Sequence, residues 1–159
     1  MAIADWTYEG DTNYCIPSIQ SSGGNPGGCI YYDLDHLNAS LTADSFGGYY
    51  RNVTIPSGYD KYILQYDMYG ENTASIGAWY GGHYKTTVRI NDSLIYYVQI
   101  YQHAVERWYT VSADITNVIT LDASNKIHIG WLIFQNEPDT HSIGRIKIDN
   151  VKIIGLNQI

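Results

Sequence analysis

The feature that most limits what this chain can fold into is the rhythm of its apolar residues. Short runs rich in Tyr, Ile, Val and Thr recur along the whole length, each closed by Gly, Asn, Asp or Pro. These are strand formers bounded by turn formers. Ile3–Glu9, Tyr14–Ile19, Cys29–Asp33, Tyr49–Thr54, Lys61–Tyr69, Ile76–Tyr80, Tyr84–Ile90, Leu94–Tyr101, Val105–Ser112, Ile127–Phe134 and Ile143–Ile154 all read as strands. No segment has a helical period. Thr116–Ser124 has room for one helical turn, but its β-branched residues disfavour it. Many short strands at this spacing predict an all-β sandwich or barrel. The 159 residues have the length of one domain, 1–159, without linker or internal repeat. A chain of this length buries roughly 70% of the surface that its unfolded form exposes, so its core needs no cofactor.

The net charge of −7 argues against a nucleic-acid partner, which calls for a cationic footprint. No apolar stretch approaches the roughly 20 residues of a spanning helix, so no membrane insertion is expected. Met1-Ala2 reads as an added start in front of an excised mature domain.

Three features predict an extracellular or cell-surface location. Cys15 and Cys29 flank the Gly-rich segment Ser21–Gly28, and a hairpin centred near Ser22 brings them face to face. That predicts an intrachain disulfide, worth roughly 3 kcal/mol in the chain-entropy model; the alternative is two unpaired buried thiols. Asn38-Ala39-Ser40, Asn52-Val53-Thr54 and Asn91-Asp92-Ser93 fit the N-glycosylation pattern of a glycoprotein. Lys and Arg are scarce beside abundant Tyr, Asn, Ser, Thr and Gly.

Catalytic chemistry finds little support. A sandwich-fold glycosidase needs two facing carboxylates. Of Glu9, Glu71, Glu106 and Glu137, Glu71 sits in a turn and Glu106 at a strand start, with nothing to set them opposite each other. His36, His83, His103, His128 and His141 are dispersed, with no zinc spacing. No nucleophile elbow is visible, and Ser21–Gly28 lacks the lysine and helix of a phosphate loop. The chain reads as a non-enzyme.

Strand register points to a binding face. A three-residue connection at Asn91-Asp92-Ser93 sets Val88 opposite Tyr96 and Thr86 opposite Val98 in the core. A two-residue turn would instead put Arg89 on one face with Leu94 and Tyr96, mixing charge into the core. The same reasoning at Gln102-His103-Ala104 sets Val98 against Trp108 in the core, and Tyr109 and Arg107 beside Tyr97 and Gln99 outside. The predicted outer face carries Arg89, Tyr97, Gln99, Tyr101, Arg107 and Tyr109. Aromatic rings that stack on sugars, with planar polar groups that bond hydroxyls, suit an oligosaccharide or polysaccharide. The pattern also suits an ordinary solvated sheet. Trp6, Trp108 and Trp131 are assigned to the core, and Trp79, before Gly81-Gly82, to an exposed rim.

Trp6-Thr7-Tyr8-Glu9-Gly10, Gly24-Asn25-Pro26-Gly27-Gly28 and Ile146-Lys147-Ile148-Asp149-Asn150-Val151-Lys152-Ile153 together resemble segments of the galactose-binding-like, laminin-type and carbohydrate-binding-module superfamily. The resemblance implies a single-domain antiparallel jelly-roll β-sandwich of a secreted hydrolase or surface protein. It also implies a structural calcium that clips the first strand to the last, with Glu9 and Asp149 as ligands and Asp11 and Asn150 as helpers. Two functions remain: a calcium-stabilised carbohydrate-binding module, or an assembly module whose partners are neighbouring domains or subunits.

Overall fold

Alternation of side chains decides the layers. Tyr62, Leu64, Tyr66 and Met68 are buried, while the residues between them are half-buried at most; one face of this strand is core and the other is not. The computed structural model describes residues 5–13, 15–25, 27–36, 45–74, 84–99, 107–133 and 142–157. Its strands are β1 (Thr7–Gly10), β2 (Cys15–Gly24), β3 (Gly27–His36), β4 (Ser45–Thr54), β5 (Lys61–Ala74), β6 (Tyr84–Ile90), β7 (Ser93–Gln99), β8 (Trp108–Asp114), β9 (Ser124–Ile133) and β10 (Ser142–Leu156). They form two five-stranded antiparallel sheets, β1-β4-β9-β6-β7 (the first sheet) and β2-β3-β10-β5-β8 (the second). This is the expected jelly-roll β-sandwich. The expected strand Ile76–Tyr80 lies outside the described residues, and 116–123 is turn rather than helix, with Ser124 opening β9.

The core lies between the sheets. Ile30, Tyr32, Leu34, Ile146 and Ile148 of the second sheet face Tyr49, Val88, Ile127, Ile129 and Trp131 of the first, all buried. Trp6 and Trp131 are core, as expected, at 5% and 0% exposure. Trp108 is not. It pairs with Tyr69 in the phase opposite to Met68 and so lies on the outer side of the second sheet. Pro17 is tolerated because β2 is an edge strand.

The β6–β7 register holds, but by another device. Val88 faces Tyr96 and Thr86 faces Val98, as expected. The turn has two residues, Asn91 and Asp92, with φ of 48° and 68°, the left-handed pair of a hairpin turn. Arg89 therefore does face Leu94; a bulge between Val88 and Arg89 then shifts the ladder and returns Tyr96 to the inner side.

The disulfide expectation is overturned: both cysteines are free. The Gly-rich segment does not turn at Ser22 but continues β2, so that Cys15 faces Leu34, Gln20 faces Cys29, and the strands close at Gly24 opposite Gly27. The cysteines stand five ladder positions apart (20 − 15 = 5), roughly 17 Å along the strand, whereas a disulfide needs Cα atoms within about 7 Å. They also point apart. Cys15 enters the core, and Cys29 Sγ lies 3.8 Å from Gln20 Oε1 on the other side. Burial pushes the Cys15 thiol up to about 12. Alkylation in denaturant without reductant should modify both cysteines, while the native protein reacts slowly. Mass spectrometry reads the outcome.

Candidate functional site

The second sheet carries a row of aromatic side chains on its outer side. Because Ile30, Tyr32, Ile146, Ile148 and Met68 point inward, Tyr31, Lys147, Tyr69 and the Trp108 paired with it point outward. The register lines them up: Tyr31 opposite Lys147, Lys147 opposite Tyr69, Tyr69 opposite Trp108. The row crosses four adjacent strands, about 14 Å at the usual strand spacing. The Tyr69 and Trp108 rings lie 5.6 Å apart and tilted by 50°, and Lys147 Nζ sits 5.0 Å from the Tyr69 ring centre. Tyr31, Tyr69, Lys147 and Trp108 are half-buried.

Polar residues flank the row. On one side Arg145 pairs with Asp33 at 3.7 Å. On the other, Asp67 accepts from Thr110 Oγ1 at 2.7 Å and from Asn150 Nδ2 at 2.8 Å. Asp149, buried at 6% exposure, accepts from the backbone amides of Asn25 at 2.6 Å and Asn150 at 2.7 Å. Gln65 Nε2 donates to Ser112 Oγ at 3.1 Å. The surface offers apolar faces edged by amides, hydroxyls and charges, which is the chemistry that a polyhydroxylated ring requires.

The face expected from sequence is divided. Tyr97, Arg89 and the backbone position of Gln99 share the outer side of the first sheet, with Tyr97 half exposed beneath Lys85 Nζ at 4.4 Å. Arg107 and Tyr109 belong to the other sheet, because β8 pairs with β5 and not with β7. Tyr109 stands opposite Met68 on the inner side, and Arg107 lies over its ring at 4.7 Å. Tyr101 and Trp79 lie outside the described residues. Nor are the expected calcium ligands brought together. Glu9 lies on the first sheet with its carboxylate on Lys126 Nζ at 2.7 Å, whereas Asp149 lies on the second with its oxygens held by backbone amides. These residues do not form a cation cage, and among the described residues no cluster of three His, Cys, Asp or Glu side chains does.

The outer side of the first sheet is paved rather than open. Arg89 lies over the Phe46 ring at 4.3 Å and Lys126 over the Tyr50 ring at 4.7 Å. Beneath them Gly48 faces Gly130, where a Cβ on either would strike the neighbouring strand and the His128 ring. His128 is 2% exposed, and neither ring nitrogen has a hydrogen-bond partner. Its charged neighbours are Glu9 on β1, with Oε1 4.0 Å from Nε2, Arg89 on β6, Lys126 on β9 and Asp92 in the β6–β7 turn.

No family model matches the sequence, and no curated protein matches it. Solved structures do. A β-sandwich carbohydrate-binding module from work on promiscuous specificity superposes with a TM-score of 0.60 at 5% identity, over 96% of this chain and 58% of that one. The chain thus spans a little over half of that neighbour's length. A family 61 module in complex with β-1,4-galactotriose gives 0.57 at 12% identity, covering 96% and 89% of the two chains. A family 28 module specific for non-crystalline cellulose gives 0.59 at 13%, covering 95% and 87%. The fold is that of the β-sandwich carbohydrate-binding modules.

Within that fold the aromatic row is what sequence reasoning missed. Part of the signal was present: in Lys61–Tyr69 the polar face ends on Tyr69, and Lys147 separates two buried isoleucines. The phase of Trp108 was hidden because it depends on which sheet receives β8.

Burial is the largest influence on His128 and lowers it to about 4 from an ordinary value near 6.5. The folded state then binds fewer protons than the unfolded state between these values. Stability should be full above pH 6.5 and fall by about 3 kcal/mol as pH drops to 4. Urea titrations across that range should show the fall, and His128→Gln should flatten it.

Proposed function

We propose that this chain is a non-catalytic carbohydrate-binding module of a secreted or surface protein, and that an oligosaccharide lies along the Tyr31–Tyr69–Trp108 row. The observation that carries the reading is the alignment of three aromatic rings on separate strands in a single register row, with hydrogen-bonding residues on both sides. Flat apolar faces stack on pyranose rings, and the row's length favours an oligomer over a single sugar. The paired carboxylates and amides at Asp67, Asn150 and Asp149 are pre-ordered by bonds to one another, so that side-chain freedom is already lost before a ligand arrives. Two neighbours of the same fold support the reading, one seen with galactotriose and one specific for non-crystalline cellulose.

Affinity electrophoresis and calorimetry with neutral β-linked oligosaccharides test it. Trp108→Ala and Tyr69→Ala should each weaken binding about fivefold to tenfold, as loss of an aromatic stack worth about 1 kcal/mol implies. Stability should fall far less than for the core change Trp131→Ala, which should cost roughly 3–5 kcal/mol. Wild-type protein that retains no neutral glycan, or binding that is indifferent to both ring deletions, would remove the assignment.

A further inference from the structure

The two sheets part at a corner well away from the aromatic row. β1 covers β4 only as far as Tyr50, and β3 covers β10 only as far as Ile148. Beyond those points β4 and β10 flank an open cleft of about 610 Å³, closed by the loop that carries Tyr59. This volume lies within the range of small-ligand sites. Val53, Ile55 and Ile153 supply apolar lining.

Tyr59 forms a wall that is exposed yet fixed. It is 46% exposed. Its ring rests on Gly155, where any Cβ would collide with it, and meets Tyr62 edge-on at 5.9 Å and 88°. The loop is tied down by Tyr62 Oη donating to the Pro56 carbonyl at 2.7 Å, Ser57 N donating to Asp122 Oδ1 at 2.9 Å, Asp122 N to the Ile55 carbonyl at 2.8 Å and Asp60 N to the Leu156 carbonyl at 3.0 Å. An exposed ring held by so many bonds has lost its freedom in advance of any contact.

The charge of the cleft is opposite to that of the chain. The sequence has 16 acidic and 9 basic residues, yet Arg51 lines this cleft and no Asp or Glu does among its described lining residues; Lys152, opposite Gln65 in the ladder, turns its side chain to the outer side of the second sheet. Arg51 meets Asp5 at 3.3 Å at the solvent edge; an exposed pair of this kind contributes little and yields to a better-placed anion. A guanidinium beside a flat ring suits a molecule with an apolar face and a carboxylate.

We infer that this cleft is a second binding site, for an acidic sugar residue such as a hexuronate, with its ring against Tyr59 and its carboxylate toward Arg51. It shares no residue with the aromatic row and takes from that proposal only the sugar nature of the ligand.

Calorimetry with digalacturonate against neutral galactobiose tests the site on the whole chain. Digalacturonate should bind, and added salt should weaken it. Arg51→Gln should reduce its affinity about tenfold, as expected for one charge-assisted hydrogen bond. Tyr59→Ala should reduce it similarly, while Trp108→Ala should leave it unchanged. Unaltered melting temperatures confirm that the variants fold. The proposal fails if digalacturonate does not bind, if galactobiose binds this cleft equally well, or if digalacturonate binding survives Arg51→Gln. Loss of digalacturonate binding in Trp108→Ala instead would assign the acid to the row and overturn the second site.

Discussion

One hydroxyl joins the two layers. Tyr32, fully buried on β3 of the second sheet, crosses the core, donates to the Ile129 carbonyl at 2.6 Å and accepts from the Tyr49 amide at 2.9 Å. Tyr49 and Ile129 face each other in the first sheet, so the hydroxyl sits between a donor and an acceptor of the opposite ladder. A buried polar group without partners would be costly; here it is satisfied at both ends and specifies how one sheet lies on the other. It also sets phase. With Tyr32 pinned inward, Tyr31 must point outward, and the ladder carries that alternation through Lys147 to Tyr69 and Trp108. The position of the aromatic row follows from a bond in the core.

The strand content could be read from sequence because period-2 alternation is local. Tyr84–Ile90 is recovered residue for residue, and the pairing of Val88 with Tyr96 follows from the need to keep charge out of the core. What escaped was set by particular geometry. Asn91 and Asp92 accept left-handed backbone, so a two-residue turn with a bulge achieves what a three-residue loop was expected to do. Ser21–Gly24 is rich in small residues, which signal a turn, yet it continues as an irregular edge strand; the cysteine pairing failed with it. Sheet membership is a long-range property. Nothing between Gln99 and Trp108 announces that the chain passes from one sheet to the other there, and so Trp108 was assigned inward and Tyr109 outward, the reverse of what is found.

The two outer surfaces use similar residue types differently. On the first sheet, Lys85, Arg89 and Lys126 each lie over an aromatic ring, and His128 is sealed below them without a partner. Cation and ring satisfy each other there, and Lys126 is further held by Glu9 and Asp92. On the second sheet Lys147 lies over the Tyr69 ring, which also meets Trp108, so cation and rings share one row across the strands.

The strict division of labour along β3, β5 and β10 has an evolutionary corollary. Each inward residue is committed to the core, while its outward neighbours bond chiefly to one another across the sheet surface. Ring size, charge and spacing along the row can then drift by single substitutions without threatening the scaffold. A scaffold built on this plan can change its outer surface faster than it changes shape, and structures that share the fold at 5–13% identity differ at most positions while keeping the sandwich.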